Sequence, residues 1–458
     1  MKASVLAGCT AAIIALSGCS GGSAPATSPS ETANQGTSAP AGDSLVEAAK
    51  QAAQKIVGDQ KLSGKVTMLG ALGGDQLDQY LSVLKPFEDV TGVKVEYEGT
   101  RDLSSVLQTR IQGNNPPDIV SNPSIGQMRQ LMAEGHMLPL SDFLDMDAVK
   151  KDYDQGLIDL ASQDGKMYGL WQTAALKGLV YYNPLTYQGP TAPKDWAELN
   201  DWAKGFAASG TAPWCIGIES GAASGWLATD WIEQFMLTTY GTETWDKWAA
   251  GQLPWTSNEV KSSFEAFGAI ATDKTMVNGG PTAVLSTDFT KGALPLWSNP
   301  PRCALTLQAD WLGATVVSQV PGTEEGKSVA FFQFPAVNPA NTGLIETAGE
   351  MVGAFNDRPE VRALVQYMAT AESQALLAKT GSWLAPNRSV KVDVYPTPAR
   401  QAAAKIFTSA SGVRFDASDL MPADVNSAFW AATLKYIGDP SKLDEALASV
   451  EKVRLANQ

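Results

Sequence analysis

Between Lys65 and Leu131, apolar runs with two different periods alternate, and this alternation restricts the fold more than any other feature of the chain. Residues 65–69 (KVTML) read as a strand, and glycines 70, 73 and 74 end it before Asp75 opens a helix. In that helix Leu77, Tyr80, Leu81, Leu84 and Phe87 recur at helical spacing, Pro86 is expected to bend the last turn, and Gly92 suits the C-cap. A second strand over 93–97 precedes a helix striped by Leu103, Val106, Leu107 and Ile111 and ended by Gly113. A third strand over 118–121 leads into a helix through Ile125, Met128 and Leu131. Strands and helices in this order predict a mostly parallel sheet covered by helices, with ligands held beyond the carboxyl ends of the strands. Those ends are residues 72–76, 100–102 and 122–124.

The chain has 458 residues, too many for one hydrophobic core, so two lobes are expected. From Thr191 the character shifts: Trp196, Leu199, Trp202 and Phe206 mark a helix, and Trp-rich and Gly-rich stretches follow to about Pro300. Later helices are predicted over 359–379 and 443–454.

At the other end, Lys2 and the apolar run 3–16 form a secretory signal, too short to remain as a membrane span. The run closes as Leu16-Ser17-Gly18-Cys19, similar to the lipobox of bacterial lipoproteins, in which Cys19 receives a diacylglyceryl group. Residues 1–18 are thus read as signal peptide, and 19–43, rich in Gly, Ser, Thr, Ala and Pro, as a lipidated cysteine with a flexible leash. Two acyl chains hold a protein at a membrane far better than one, which places the folded part at the outer face of a bacterial cell membrane. Cys9 leaves with the signal, so Cys215 and Cys303 remain as an even pair in an oxidising compartment and are predicted to form a disulfide. Closing that loop restricts the unfolded chain by about 4 to 5 kcal/mol on the entropy model.

Composition removes most catalysts. Acids outnumber bases 48 to 34, no Lys/Arg cluster offers itself to phosphates, and a nucleic-acid partner is excluded. His136 is the single histidine, which leaves no material for His triads or His-ligated metals. Phosphate-binding glycine loops, C-x-x-C pairs and H-E-x-x-H are all missing, so no cofactor and no metal are expected. Carboxylates are plentiful, and a glycoside hydrolase working with two of them stays open at this point. The positive signal is thirteen tryptophans, because flat rings pack on sugar C–H faces while polar neighbours bind hydroxyls. Trp196 and Trp202 lie on the apolar stripe of their helix and belong to the core. Trp226, Trp297, Trp311, Trp383 and Trp430 lie in or beside polar, Gly- or Pro-containing loops and are the cleft candidates.

Four runs, over residues 95–140 (with the motif NPPDI), 213–231, 349–370 and 415–430, resemble extracellular solute-binding proteins of ABC importers that capture oligosaccharides. They look closest to the alpha-glucoside-binding branch and more distantly like maltose- and trehalose-binding proteins. The resemblance implies an α/β, two-lobe, periplasmic-binding-protein-like fold of type II, with lobes joined by hinge crossings. On this basis residues 44–176 plus 345–385 are assigned to lobe 1 and 177–344 plus 386–458 to lobe 2. It also implies a small carbohydrate ligand, permease subunits and an ATPase as partners, and a monomer that is not an enzyme. The run 176–183 (LKGLVYYN) looks like the strand crossing into the second lobe, which puts Lys177 on the hinge-side wall. The segment SAFW is similar to the one presenting a sugar-stacking aromatic, here Trp430, and LQADWLG offers Asp310 or Trp311. SNPSIG after NPPDI lacks the aromatics of maltose-binding relatives and argues for a ligand smaller than a long maltodextrin.

The expected ligand set combines Asp75, Gln76, Arg101, Asp102, Asn122 and Glu350 from lobe 1 with Lys177, Glu219, Asp288, Asp310 and the five candidate tryptophans. Charged partners make the stronger bonds to hydroxyls, although Asp75 and Asp102 also suit helix caps. Arg101, Lys177 and Arg388 open a second reading, an anionic glucoside.

Overall fold

The computed structural model describes residues 41–457. The signal segment 1–18, Cys19 and the leash as far as residue 40 lie outside the described residues.

Lys65–Gly70 and Lys94–Gly99 pair in parallel, Val66 opposite Val95 and Met68 opposite Tyr97, and Ile119–Asn122 joins the free side of Lys65–Gly70. The second and third strands begin one residue later than the apolar pattern suggests, because their pairing partners set the register. Met351–Ala354 arrives from far along the chain and pairs antiparallel to Ile119–Asn122, and Gly169–Trp171 closes the five-stranded sheet. Asp118, the acid of NPPDI, ties these strands together. Its carboxylate accepts the backbone N–H and hydroxyl of Thr67 (2.8 and 3.1 Å), the side-chain amide of Asn356 (3.1 Å) and Arg358. That motif residue serves the sheet.

Helices form where the stripes placed them: Gly74–Thr91, capped by Gly92 at φ 74°, then Leu103–Gln112 and Ile125–Ala133. Two expectations need correction. The predicted helix over 359–379 is two helices, Pro359–Ala369 and Ala371–Thr380, because Thr370 adopts an extended backbone and its hydroxyl accepts the Ser373 N–H to cap the second. The leash also ends earlier than residue 43, since Ala41–Val57 is helical. Ala49, Ala53 and Val57, spaced four apart, bury one face of that helix, whose alanine-rich composition hid it.

Two hydrophobic cores result. One joins residues from Ala49 to Trp171 with others from Met351 to Leu377, together with Trp383 and Phe415. The other runs from Ala174 to Ile345 and resumes with Ala378, Leu384 and Tyr395 through Val450. Ile345, Ala378 and Leu384, assigned to lobe 1 by resemblance, pack in the second core, and Phe415, assigned to lobe 2, packs in the first. The second core surrounds the antiparallel strands Ala330–Gln333, Leu179–Tyr182 and Leu305–Gln308. It holds the Cys215–Cys303 disulfide, with Cα atoms 5.7 Å apart, beside the Cys215 N–H bond to Leu305 O (2.8 Å).

A small sheet joins the bodies. Leu344–Ala348 pairs with Ala175–Leu176 on one side and Gly412–Phe415 on the other. All three strands lie where the chain passes between cores, and the crossings are tied by Gln172 N–H to Glu350 O (3.0 Å) and Ala174 N–H to Leu384 O (2.9 Å). Glycine is required at 349, where a Cβ would meet Thr173 O at 2.3 Å.

Candidate ligand-binding site

A cavity of about 320 Å³ opens between the two cores, directly above the crossing strands. Its position at strand ends follows from the topology, since loops leaving the first sheet at Leu72, Arg101 and Asn122 converge there.

The floor is built on charge. Lys177 follows the crossing strand Ala175–Leu176, and its Nζ bonds Asp230 Oδ1 at 2.7 Å and Asp416 Oδ2 at 2.8 Å. Asp230 comes from the start of the helix Trp226–Ala249, and Asp416 directly follows the crossing strand Gly412–Phe415. Glu233 and Glu346 complete the cluster, and one oxygen from each of the four acids lies within 4.8 Å of the others. All four are buried. Burial opposes the Lys177 charge, but Asp230 and Asp416 hold its pKa well above the usual lysine value. Burial also works against the Asp416 carboxylate, yet the Lys177 ammonium and the Ser418 and Asp419 contacts bring it below the ordinary range. Glu233 and Glu346 are pushed well up, by burial first and by the neighbouring Asp416 charge second. Such a cluster offers oxygens to a metal, but Lys177 already occupies its positive centre and repels a second cation.

The walls are aromatic. Trp226 starts its helix after Gly225, whose φ of 107° lets the backbone lie against Trp430, where a Cβ would meet Trp430 O at 2.8 Å. Both rings are half-buried, and Lys177 Nζ sits 5.3 Å from the Trp226 ring centre. Phe289 packs edge-on against Trp226 (5.2 Å) and Trp311 (6.0 Å). From the first body come Gln76, Arg101, Asp102, Asn122, Glu350 and Trp383. Burial pushes the Glu350 carboxyl up to about 7, against the opposing pull of the Ser121 hydroxyl and Arg101. Asp102 starts its helix without a side-chain cap bond, which leaves the carboxylate for the cleft.

Four lining residues carry buried polar atoms with no hydrogen-bond partner among the described residues: Ser124 Oγ, Asp230 Oδ2, Asn426 Oδ1 and Trp430 Nε1. Each unmatched buried group costs about 1–3 kcal/mol, and donors and acceptors together call for a partner that does both.

Ten expected residues thus meet at one cavity: Gln76, Arg101, Asp102, Asn122, Lys177, Trp226, Trp311, Glu350, Trp383 and Trp430. Five expected ligands do not line it. Asp310 is buried in an ion pair with Arg400 (2.9 Å) and accepts the Leu176 N–H (3.1 Å), so it braces the crossing. Burial pushes its carboxyl up to about 6, which Arg400 opposes. Trp297 is buried and donates to Ser328 O at 2.7 Å. Glu219 and Asp288 bridge each other's backbones and turn their carboxylates to local N–H groups, of Gly221 (2.8 Å) and Thr290 (2.9 Å). Asp75 is exposed in the first turn of its helix. Arg388 also stays away, donating to Lys151 O and Tyr153 O.

Sequence reading missed Asp230, Phe289, Asp416, Asp419 and Asn426. Two signals were available: Asp230 lies four residues after Trp226 on one helix, and Asp416, Asp419 and Asn426 precede Trp430 in a single run.

Residues 73–375 match the bacterial extracellular solute-binding protein family. The osmoprotective compounds-binding protein GgtB of Synechocystis sp. is 34% identical over 377 residues, 82% of this chain and 89% of that one. The alpha-glucosides-binding periplasmic protein AglE of Rhizobium meliloti is 33% identical over 402 residues, covering 84% and 86%. Among solved structures, a chitin oligosaccharide binding protein superposes with TM-score 0.73 at 20% identity, over 85% of this chain and 98% of that one. RafE in complex with raffinose gives 0.66 at 16% identity, over 85% and 98%. These structural likenesses establish the two-lobe type II fold. Among the described residues, no helix is long and apolar enough to cross a membrane.

Proposed function

The chain belongs to the bacterial extracellular solute-binding proteins, and on that premise we propose that it captures a disaccharide-sized α-glucoside and delivers it, unchanged, to an ABC importer. The observation that carries this reading is the pairing of half-buried Trp226 and Trp430 with unmatched donors and acceptors in one cavity. A sugar answers both demands, because each hydroxyl donates and accepts while its C–H face packs on a ring. The volume, about 320 Å³, is at the small end of pockets that enclose small molecules and suits two sugar rings. Likeness to AglE supports the α-glucoside class.

Residues 44–176 with most of 345–385 form one lobe and 177–344 with most of 386–458 the other, and the sugar bridges them. Binding to both walls favours the closed state over the open one. Permease subunits and an ATPase supplied by other chains then read closure. Cys19, lipidated after removal of the signal, tethers this monomer outside the membrane. An anionic glucoside is disfavoured: Lys177 is already bonded to two carboxylates, Arg388 is elsewhere, and lining acids outnumber lining bases. Likeness to GgtB keeps a compact osmoprotective solute as a second reading for the same small cavity.

Titration with maltose, trehalose, sucrose and small polyol osmolytes, followed by binding heat and Trp fluorescence, tests the proposal. Saturable binding of an α-glucoside with the sugar recovered intact is expected. Release of free glucose would replace the receptor with a glycoside hydrolase.

A further inference from the structure

One contact bridges the two bodies across the cavity. Arg101 belongs to the first body, between Lys94–Gly99 and Leu103–Gln112, and its guanidinium lies 4.8 Å from the centre of the Phe289 ring in the second core. Gly221 lies beside the same residue, since a Cβ built on it would stand 3.8 Å from Arg101 Cβ. Asp288, beside Phe289, and Glu350, on the first body, both lie within electrostatic reach of the same guanidinium.

We propose that Arg101 is an inter-lobe clasp that shuts one end of the cleft and thereby limits the length of glucan the protein accepts. The inference rests on the α-glucoside reading. A cation on an aromatic face at an exposed position is a weak, reversible contact, suited to opening and reclosing around a ligand. Arg101 and Phe289 both line the cavity, so while they touch they take up room between the lobes, and a longer chain that needs this room must displace Arg101 from the Phe289 ring. Gly221 beside the clasp adopts φ 58°, which disfavours other residues.

The test compares affinities of wild type, Arg101→Lys and Arg101→Ala for maltose, maltotriose and maltotetraose, with X-ray scattering of the sugar-free proteins alongside. Arg101 is exposed, so both variants are expected to fold. Arg101→Ala is expected to raise the maltotriose-to-maltose affinity ratio at least tenfold, with Arg101→Lys between it and wild type. An unchanged ratio, or equal weakening for all three sugars, overturns the clasp and leaves Arg101 a plain sugar contact. If wild type binds no glucan, the functional reading fails and scattering judges the clasp: a larger radius of gyration for Arg101→Ala upholds it, and identical profiles reject it.

Discussion

The two cations of the cleft are held in opposite ways. Lys177, on the floor, is 7% exposed, bonded to two buried carboxylates and placed directly after a strand that crosses between the bodies. Arg101, on the rim, is exposed and leans on the ring of Phe289 across the gap. The floor therefore couples the site to the fold itself: Lys177, Glu346 and Asp416 come from three different crossing segments and meet Asp230 and Glu233 of one helix. The rim joins the two bodies through the Arg101–Phe289 contact instead. Changes at the floor should cost the whole molecule, and changes at the rim should alter which ligand is taken.

The sharpest test is Lys177→Met. Removing one partner from a buried ion pair leaves uncompensated charge and costs about 3–5 kcal/mol, whereas Arg101→Ala, at an exposed position, should shift stability by about 0.5 kcal/mol or less. Urea unfolding of the two variants beside wild type reads both numbers. Equal stability losses would break the distinction between floor and rim.

Next in size are the walls. Trp430→Ala should weaken sugar binding by about 2 kcal/mol, roughly 30-fold in Kd, as expected for a large aromatic anchor at the centre of a binding surface. Calorimetric titration measures this, and the circular dichroism spectrum should stay that of wild type. Loss of binding together with loss of fold would move Trp430 from the wall into the structural floor.

The smallest effect concerns Glu350, partly buried between the two zones. Its carboxyl is pushed up to about 7 in the native protein and lies near 4.5 when unfolded, so the native state holds the proton more tightly. This group's stabilisation is fully present below the unfolded value and is lost as pH rises through about 7. Melting of the sugar-free protein should therefore show a falling component between pH 5 and 8, on the order of 1 kcal/mol. Glu350→Gln should flatten that component, and an unchanged pH profile would show that the other raised acids, Glu233, Glu346 and Asp419, account for it.

Local pattern made much of the fold legible. Three strands of the first sheet, their helices and the disulfide partners follow from periodicity and cysteine arithmetic, because each depends on near neighbours or on elimination; Met351–Ala354 and Gly169–Trp171, which pair antiparallel and correct the expected mostly parallel sheet, arrive from distant segments. The break at Thr370 escaped because the apolar stripe runs through it and a cap hydroxyl decides the matter. Of the five tryptophans singled out near loops, Trp226, Trp311, Trp383 and Trp430 line the cavity, whereas the indole N–H of Trp297 finds a partner inside the core.

By itself, the sequence determined the alternating strands and helices of the first lobe, the presence of a single histidine and the family. Only the tertiary structure decided that Asp310 and Lys177, both charged and both near the crossing, have different surroundings: one is closed off by Arg400, the other lines the cavity among acids from distant segments. Such surroundings arise from residues up to 239 positions apart in the chain. The free energy of a buried charge depends on what surrounds it in space, and a local pattern carries no record of that.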